Sequence, residues 1–188
     1  MTQTDVLTPA ASRILAAASE LFYARGIGSV GVDLIAEHAG ITKKTLYDRF
    51  GSKEGLVVAY LRTRRDRWQD FVLGHLDRST ARGTDRILVV LDALEEWMGD
   101  NTRGCGFINA YAELSGSSHA GIAYVREDKQ WVRALYVRLV SEAGLDEPER
   151  RGSVLSLLHE GAIVDLTAGG DLSAIEDARG AARLILQP

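Results

Sequence analysis

Leu34-Ile-Ala-Glu-His-Ala-Gly40-Ile-Thr-Lys-Lys-Thr-Leu-Tyr-Asp-Arg-Phe50 is the stretch that decides the fold. Two short helix-forming runs flank a glycine suited to a tight turn, which is the helix-turn-helix plan. Gly40 tolerates a left-handed backbone that a side chain would strain. Ile41 plugs the angle between the helices, and Ala36 and Ala39 are small enough for close crossing. Thr42 caps the second helix. Leu46 and Phe50, four residues apart, turn one face of that helix inward. Thr42, Lys43, Lys44, Thr45, Tyr47 and Arg49 are left for its other sides, a set rich in donors for phosphates and base edges.

Outward from this motif the pattern stays helical. Thr8-Pro9 reads as an N-cap with proline at the first helical position. Ile14, Ala17, Ala18, Leu21 and Phe22 then recur at helical spacing until Gly26. Downstream, Gly51-Ser52 breaks the chain and a long helix is predicted from Lys53 to about Asp77, about 37 Å at 1.5 Å per residue. Its ends are apolar (Leu56, Val57, Tyr60 and Leu61; Trp68, Phe71, Val72 and Leu76), with Arg62, Arg64, Arg65 and Arg67 between them, the pattern of a connector with a solvated middle. Further helices are expected at about 84–100, 106–115, 120–143, 148–168 and 172–186, divided by Gly83, Gly104, Gly144 and Gly169-Gly170. The expected fold is all-α with about nine helices: an N-terminal three-helix helix-turn-helix domain over 1–53, then a helical domain over 54–188.

Over the 188 residues the net charge is −4, which taken alone argues against a nucleic-acid partner. It is unevenly spread. Lys43 to Arg67 holds eight Lys/Arg against three Asp/Glu, net +5, whereas Val140 to Pro188 holds four against nine, net −5. A basic front and an acidic back suggest that one end meets an anion. The single Cys105 excludes an internal disulfide framework and fits a reducing compartment. Met1 to Thr8 lacks the cationic start and apolar core of a signal peptide, and no apolar run reaches the roughly 18–20 residues of a membrane span. A cytoplasmic protein is expected.

The stretch from Gly31 to Leu56, with the turn glycine, Thr45-Leu46-Tyr47, Phe50 and then Ser52-Lys53-Glu54, resembles the DNA-binding domain of the TetR (tetracycline-repressor-like) family. Arg103-Gly-Cys-Gly-Phe-Ile-Asn-Ala-Tyr-Ala-Glu-Leu114 is similar to the start of the sixth helix in one subgroup. The resemblance implies a dimeric repressor of a palindromic operator, with a C-terminal domain that binds a small-molecule effector. It implies that Lys43, Lys44, Thr45, Tyr47 and Arg49 meet DNA and that Lys53 holds a phosphate. Asp48 stands where the family often carries His or Arg, and would repel the backbone or select cytosine N4. Gly31 replaces a capping hydroxyl, so a phosphate there would have to be held by backbone N–H groups.

Large side chains concentrate between residues 68 and 131, and each fits ordinary core. Together, Trp68, Phe71, Trp97, Phe107, Tyr111 and Trp131 suggest an aromatic cavity, with Asn109 and Glu113, at i and i+4, facing one point. His75, His159 and Asp165 could add polar contacts. On the last two helices Leu155, Leu158, Ala162, Leu166, Ile175, Ala178 and Ala182 form apolar faces that could serve the core or a partner. The resemblance implies a four-helix dimer interface, and two-fold dimers are the usual way helix-turn-helix proteins read paired half-sites.

Other signals are weak. Gly26-Ile-Gly-Ser-Val-Gly31 spells the dinucleotide fingerprint, but it follows a helix rather than a strand and reads as an inter-helix turn. The four histidines lack zinc spacing, and no nucleophile motif is present, so neither a metal, a cofactor nor an enzyme is expected. Cys105 reads as a small packed side chain, because a sensor thiol needs cationic surroundings and Arg103 alone offers little. The sequence therefore points to a ligand-responsive DNA-binding regulator, a repressor released by a small molecule. A protein–protein module with a degenerate helix-turn-helix and a small helical-bundle enzyme are the competing classes.

Overall fold

The computed structural model describes residues 7–187, and every regular element within that span is helical. The leader-free reading of Met1 to Thr8 falls mostly on residues outside the described span. The elements are α1 (Pro9–Arg25), α2 (Val32–His38), α3 (Lys43–Phe50), α4 (Lys53–Arg78), α5 (Gly83–Asp100), α6 (Gly106–Leu114), α7 (Gly121–Glu142), α8 (Pro148–Val164) and α9 (Ala174–Ile185). A π-helical turn, Asp165–Gly169, closes the run that the sequence assigns to α8 up to residue 168. Nine α-helices among the described residues is the number the spacing predicts. None is long and apolar enough to cross a membrane.

The chain forms two compact units. One contains the described residues up to Arg64 together with Gly106–Val125; the other contains Arg65–Cys105 and the described residues from Arg126 onward. The first unit extends beyond residue 53 for two physical reasons. α4 continues unbroken past that point, so its first turns stay with the helix-turn-helix, where Tyr60 meets Phe22 with ring centroids 5.6 Å apart. The segment carrying α6 also reaches back: the Ala120 N–H donates to Glu54 Oε1 at 3.1 Å.

In the first unit, α1 starts as expected, with Pro9 at its head and the Thr8 hydroxyl accepting from the Ala11 N–H. Ile14, Ala18, Ile35, Leu46 and Leu56 are fully buried and supply its core. Each large aliphatic removed from water there contributes about 1.5–3 kcal/mol. Arg64 departs from the solvated connector: its guanidinium lies 4.6 Å from the Tyr23 ring centroid.

In the second unit, Leu76, Ile87, Leu91, Leu94, Tyr136 and Leu155 are fully buried around a single core drawn from α4, α5, α7, α8 and α9. α7 and α8 cross closely at Gly152, where a Cβ would lie 2.6 Å from the Val137 backbone nitrogen. Arg65 is held by Glu127 at 2.6 Å and by Asp66 at 2.9 Å, so it too is not simply solvated. Arg62 and Arg67 are exposed, as the sequence implies.

Candidate functional site

α2 and α3 form the helix-turn-helix. Gly40 takes φ +61°, and the Ile41 N–H returns to the Ala36 carbonyl at 3.0 Å. The Thr42 hydroxyl then accepts from the Thr45 N–H at 3.1 Å and caps α3. The same hydroxyl meets that of Thr45 at 2.9 Å. With Leu46 fully buried, Thr42, Lys43, Lys44, Tyr47, Asp48 and Arg49 are exposed, and Thr45 is half-buried.

The charges on that face are partly paired. Lys43 bonds Asp33 of α2 at 2.8 Å, which raises its pKa and ties α3 to α2. Lys44 bonds Asp48 at 2.8 Å along one turn of α3. Arg49 makes no ion pair among the described residues, and Tyr47 is exposed as well. A face with one open guanidinium, two weakly held ammonium groups and a phenol can accept phosphates and reach guanine O6/N7. Gly31 heads α2 with no side-chain cap and open space around its Cα, leaving only backbone donors there.

Lys53, expected to hold a phosphate, makes a bond within the chain. Its Nζ donates to the Ile27 carbonyl at 2.6 Å, so the ammonium is drawn back against the α1–α2 turn rather than extended towards a phosphate. Three of its neighbours in sequence, Gly51, Ser52 and Glu54, are exposed while Lys53 is half-buried, in keeping with this inward turn.

Of the eight residues expected to line a pocket, Trp68, Phe71 and Trp97 pack together, with ring centroids 5.3 Å apart for Trp68–Trp97 and 5.2 Å for Phe71–Trp97. Trp131 packs against the same core. Phe107, Asn109, Tyr111 and Glu113 belong to the other unit. There Phe107 is buried and Tyr111 exposed. The Glu113 carboxylate is held by backbone N–H groups of the α1–α2 turn, 3.0 Å from Ile27 N and 2.5 Å from Gly28 N, because the intervening 85-odd residues fold α6 back onto α1.

His159 completes the aromatic cluster. It is buried 5.8 Å from Trp68, and its Nδ1 lies 3.2 Å from the Tyr136 hydroxyl. Burial, with the Lys129 charge adding to it, pushes its pKa down to about 3, so the ring is neutral. His75 sits at the edge, 4.5 Å from the Phe71 ring and 3.0 Å from Glu96, and Asp165 is exposed. Tyr136 was not legible as a site residue: it recurs at core spacing like its neighbours Val132 and Val140. Cys105 is half-buried, and Lys129, which bonds Glu160 at 2.9 Å and Asp128 at 3.2 Å, approaches its sulfur at 3.3 Å. Burial lowers the Lys129 pKa, but Cys105, Asp128 and Glu160 outweigh it and keep the ammonium charged.

Most of the apolar residues expected to serve pairing are turned into the chain's own core. Leu155, Ala162, Ile175, Ala178 and Ala182 lie in the chain's own core, Ala182 with no exposure at all, and Leu158 and Leu166 pack against that core. The opposite side of the same helices carries the exposed apolar groups: Val154, Leu157 and Val164 on α8, and Leu184 on α9. Leu157 is 71 % exposed and Leu184 69 %. A groove of about 310 Å³ runs between the two helices, bordered by Leu157, Gly161 and Ala181.

Known proteins resemble this chain in sequence and in fold. The family model of bacterial regulatory proteins of the tetR family matches residues 14–60. An HTH-type transcriptional regulator of Mycobacterium tuberculosis is 31 % identical over 146 residues, 76 % of this chain and 68 % of that protein. The HTH-type transcriptional activator FasR of Mycolicibacterium smegmatis is 34 % identical over 92 residues, 49 % of this chain and 42 % of FasR, so this chain spans less than half of FasR's length. The crystal structure of a TetR-family transcriptional regulator from Streptomyces coelicolor superposes with a TM-score of 0.87 at 28 % identity, covering 94 % of each chain.

Proposed function

The chain belongs to the TetR family of bacterial regulatory proteins, DNA-binding transcriptional regulators that act as dimers, and on that premise we propose that it is a homodimeric, effector-released repressor. Residues 1–53 form its reading head and residues 54–188 sense and pair. The observation that carries the reading is that α3 leaves Lys44, Tyr47 and Arg49 exposed while Leu46 is buried. These three read the operator. Thr42, Lys43 and Thr45 hold the first turn of α3 against the DNA backbone, and Lys53 braces the head from behind.

Two heads reading a palindrome need a two-fold pair. The exposed stripe of Leu157, Val164 and Leu184 supports pairing through the outer faces of α8 and α9, leaving the inner faces to the core. α8 is apolar on both sides, which a helix needs when it is covered on both. The cluster of Trp68, Phe71 and Trp97 beside the neutral His159 supports an effector site for an aromatic or otherwise apolar small molecule in the second unit. The effector releases DNA only if it binds the non-reading state more tightly. As a regulator that acts on DNA, it works in the cytoplasm.

The test is selection from random double-stranded oligonucleotides, repeated with candidate effectors. A palindromic sequence should be enriched, with affinity that falls steeply as salt rises. No preference would favour the protein–protein module instead.

A further inference from the structure

The turn between α1 and α2 spells Gly26-Ile27-Gly28, and its backbone does hold an anion. The anion is the chain's own Glu113, from the last turn of α6. Ile27 N–H donates to Glu113 Oε1 at 3.0 Å and Gly28 N–H donates to Oε2 at 2.5 Å. Successive backbone N–H groups in such a turn form a concave receptor for negative charge. The glycines make the room: a Cβ at Gly26 would lie 3.0 Å from Oε1, and one at Gly28 would lie 3.2 Å from Oε2. Gly26 also takes φ +88°, which disfavours any side chain.

The same peptide is gripped from its other end. The Ile27 carbonyl accepts from Lys53 Nζ at 2.6 Å, while the Ile27 side chain is buried. Both backbone polar groups of Ile27 are thus held by charged side chains, one from α6 and one from the start of α4. The residue leads directly into α2 and the reading helix. Glu113 itself is exposed and adds nothing to the apolar core of the unit, so its contribution is to orientation.

We propose that Glu113 is a positioning residue for operator binding: seated in the Gly26–Gly28 receptor, its carboxylate fixes the attitude of α2 and α3 without touching DNA. The proposal rests on operator reading by α3. Losing two charge-assisted hydrogen bonds lets the turn sample orientations that do not dock, and the loss falls equally on every base sequence.

The experiment uses the full chain and the selected operator. Glu113→Gln keeps the size but turns an amide N–H₂ towards a backbone donor. It should weaken operator binding about tenfold, uniformly across single-base variants of the site and with an unchanged salt slope. The amides of Ile27 and Gly28 should exchange faster with solvent. Tryptophan fluorescence should melt unchanged, since Trp68, Trp97 and Trp131 all lie in the other unit. Gly28→Ala crowds the carboxylate and should reproduce the loss in the unaltered protein but have no further effect in Glu113→Ala, the signature of a shared contact. Binding within twofold of the unaltered protein, or an equal effect of Gly28→Ala in both backgrounds, overturns the proposal. Lack of any operator preference in the unaltered protein instead overturns the reading on which it rests.

Discussion

Lys44 and Asp48 stand one turn apart on the exposed side of α3, with Nζ 2.8 Å from Oδ2. Both side chains are mostly in water, so the pair is worth little to the fold, about 0.3–0.5 kcal/mol for such i,i+4 contacts. Its consequence lies in DNA binding. Asp48 holds a cation that would otherwise reach a phosphate or a guanine, and it brings a negative charge to a polyanion. Asp48→Asn should therefore tighten binding to all sequences by about three- to tenfold at low salt and steepen the salt slope, while selectivity among operator variants falls. Titrations at several salt concentrations with the operator and an unrelated duplex check this. Equal affinity at both duplexes before and after the change would show that Asp48 faces away from the DNA.

Lys53 gives a second contrast. A lysine that neutralises a phosphate lowers the salt slope by about one when removed, whereas a lysine that braces the protein lowers affinity and leaves the slope alone. With its ammonium on the Ile27 carbonyl, Lys53→Met should behave in the second way. Lys44→Ala should behave in the first, with an added loss at one base position. A reduced slope for Lys53→Met would return that side chain to the DNA backbone.

The pairing face separates its candidates by burial. Leu157 is 71 % exposed in the single chain, so Leu157→Glu should leave the melting temperature of the protomer nearly unchanged. The same change places two carboxylates in a two-fold interface, and sedimentation should show a monomer at micromolar concentration. Operator affinity should drop by an order of magnitude or more, because linked half-sites bind with high effective concentration. Ala182→Glu should behave differently: that site has no exposure, and a buried unpaired charge should prevent folding altogether. A dimeric Leu157→Glu would move the interface elsewhere.

These contrasts show where the sequence was legible. The Gly40 turn, the Thr42 cap and the inward Leu46 each follow from one local preference, and the structure places all three as read. The two faces of α8 do not follow that way. Val154, Leu155, Leu157, Leu158, Ile163 and Val164 run almost round the helix, so spacing cannot tell which stripe the rest of the chain covers. Glu113 failed for a different reason. Its spacing with Asn109 is a helix property, but its partners are backbone N–H groups more than 80 residues away, which no side-chain pattern records. The glycines that receive it were visible, but as a fingerprint whose βαβ setting was missing.

His159 contributes a pH response to the second unit. Its pKa falls from 6.5 to about 3 on folding, through burial first and the Lys129 charge second. Above pH 6.5 both the folded and unfolded forms hold the ring neutral, and its contribution to stability is complete. Below 6.5 the unfolded chain takes up a proton that the folded chain refuses until about pH 3, so stability declines as the pH falls through that window. The decline from this group alone is at most about 1.4 kcal/mol per pH unit. Denaturant melts followed by tryptophan fluorescence at pH 7.5 and 5.5 should show the loss, because Trp68 lies 5.8 Å from the ring. His159→Gln, which keeps a partner for the Tyr136 hydroxyl, should lower stability at pH 7.5 but flatten its dependence on pH. In the unaltered protein the His159 ring resonances should stay fixed from pH 8 to 5. A midpoint near 6 would mean that water reaches the ring and that the aromatic cluster is open in solution.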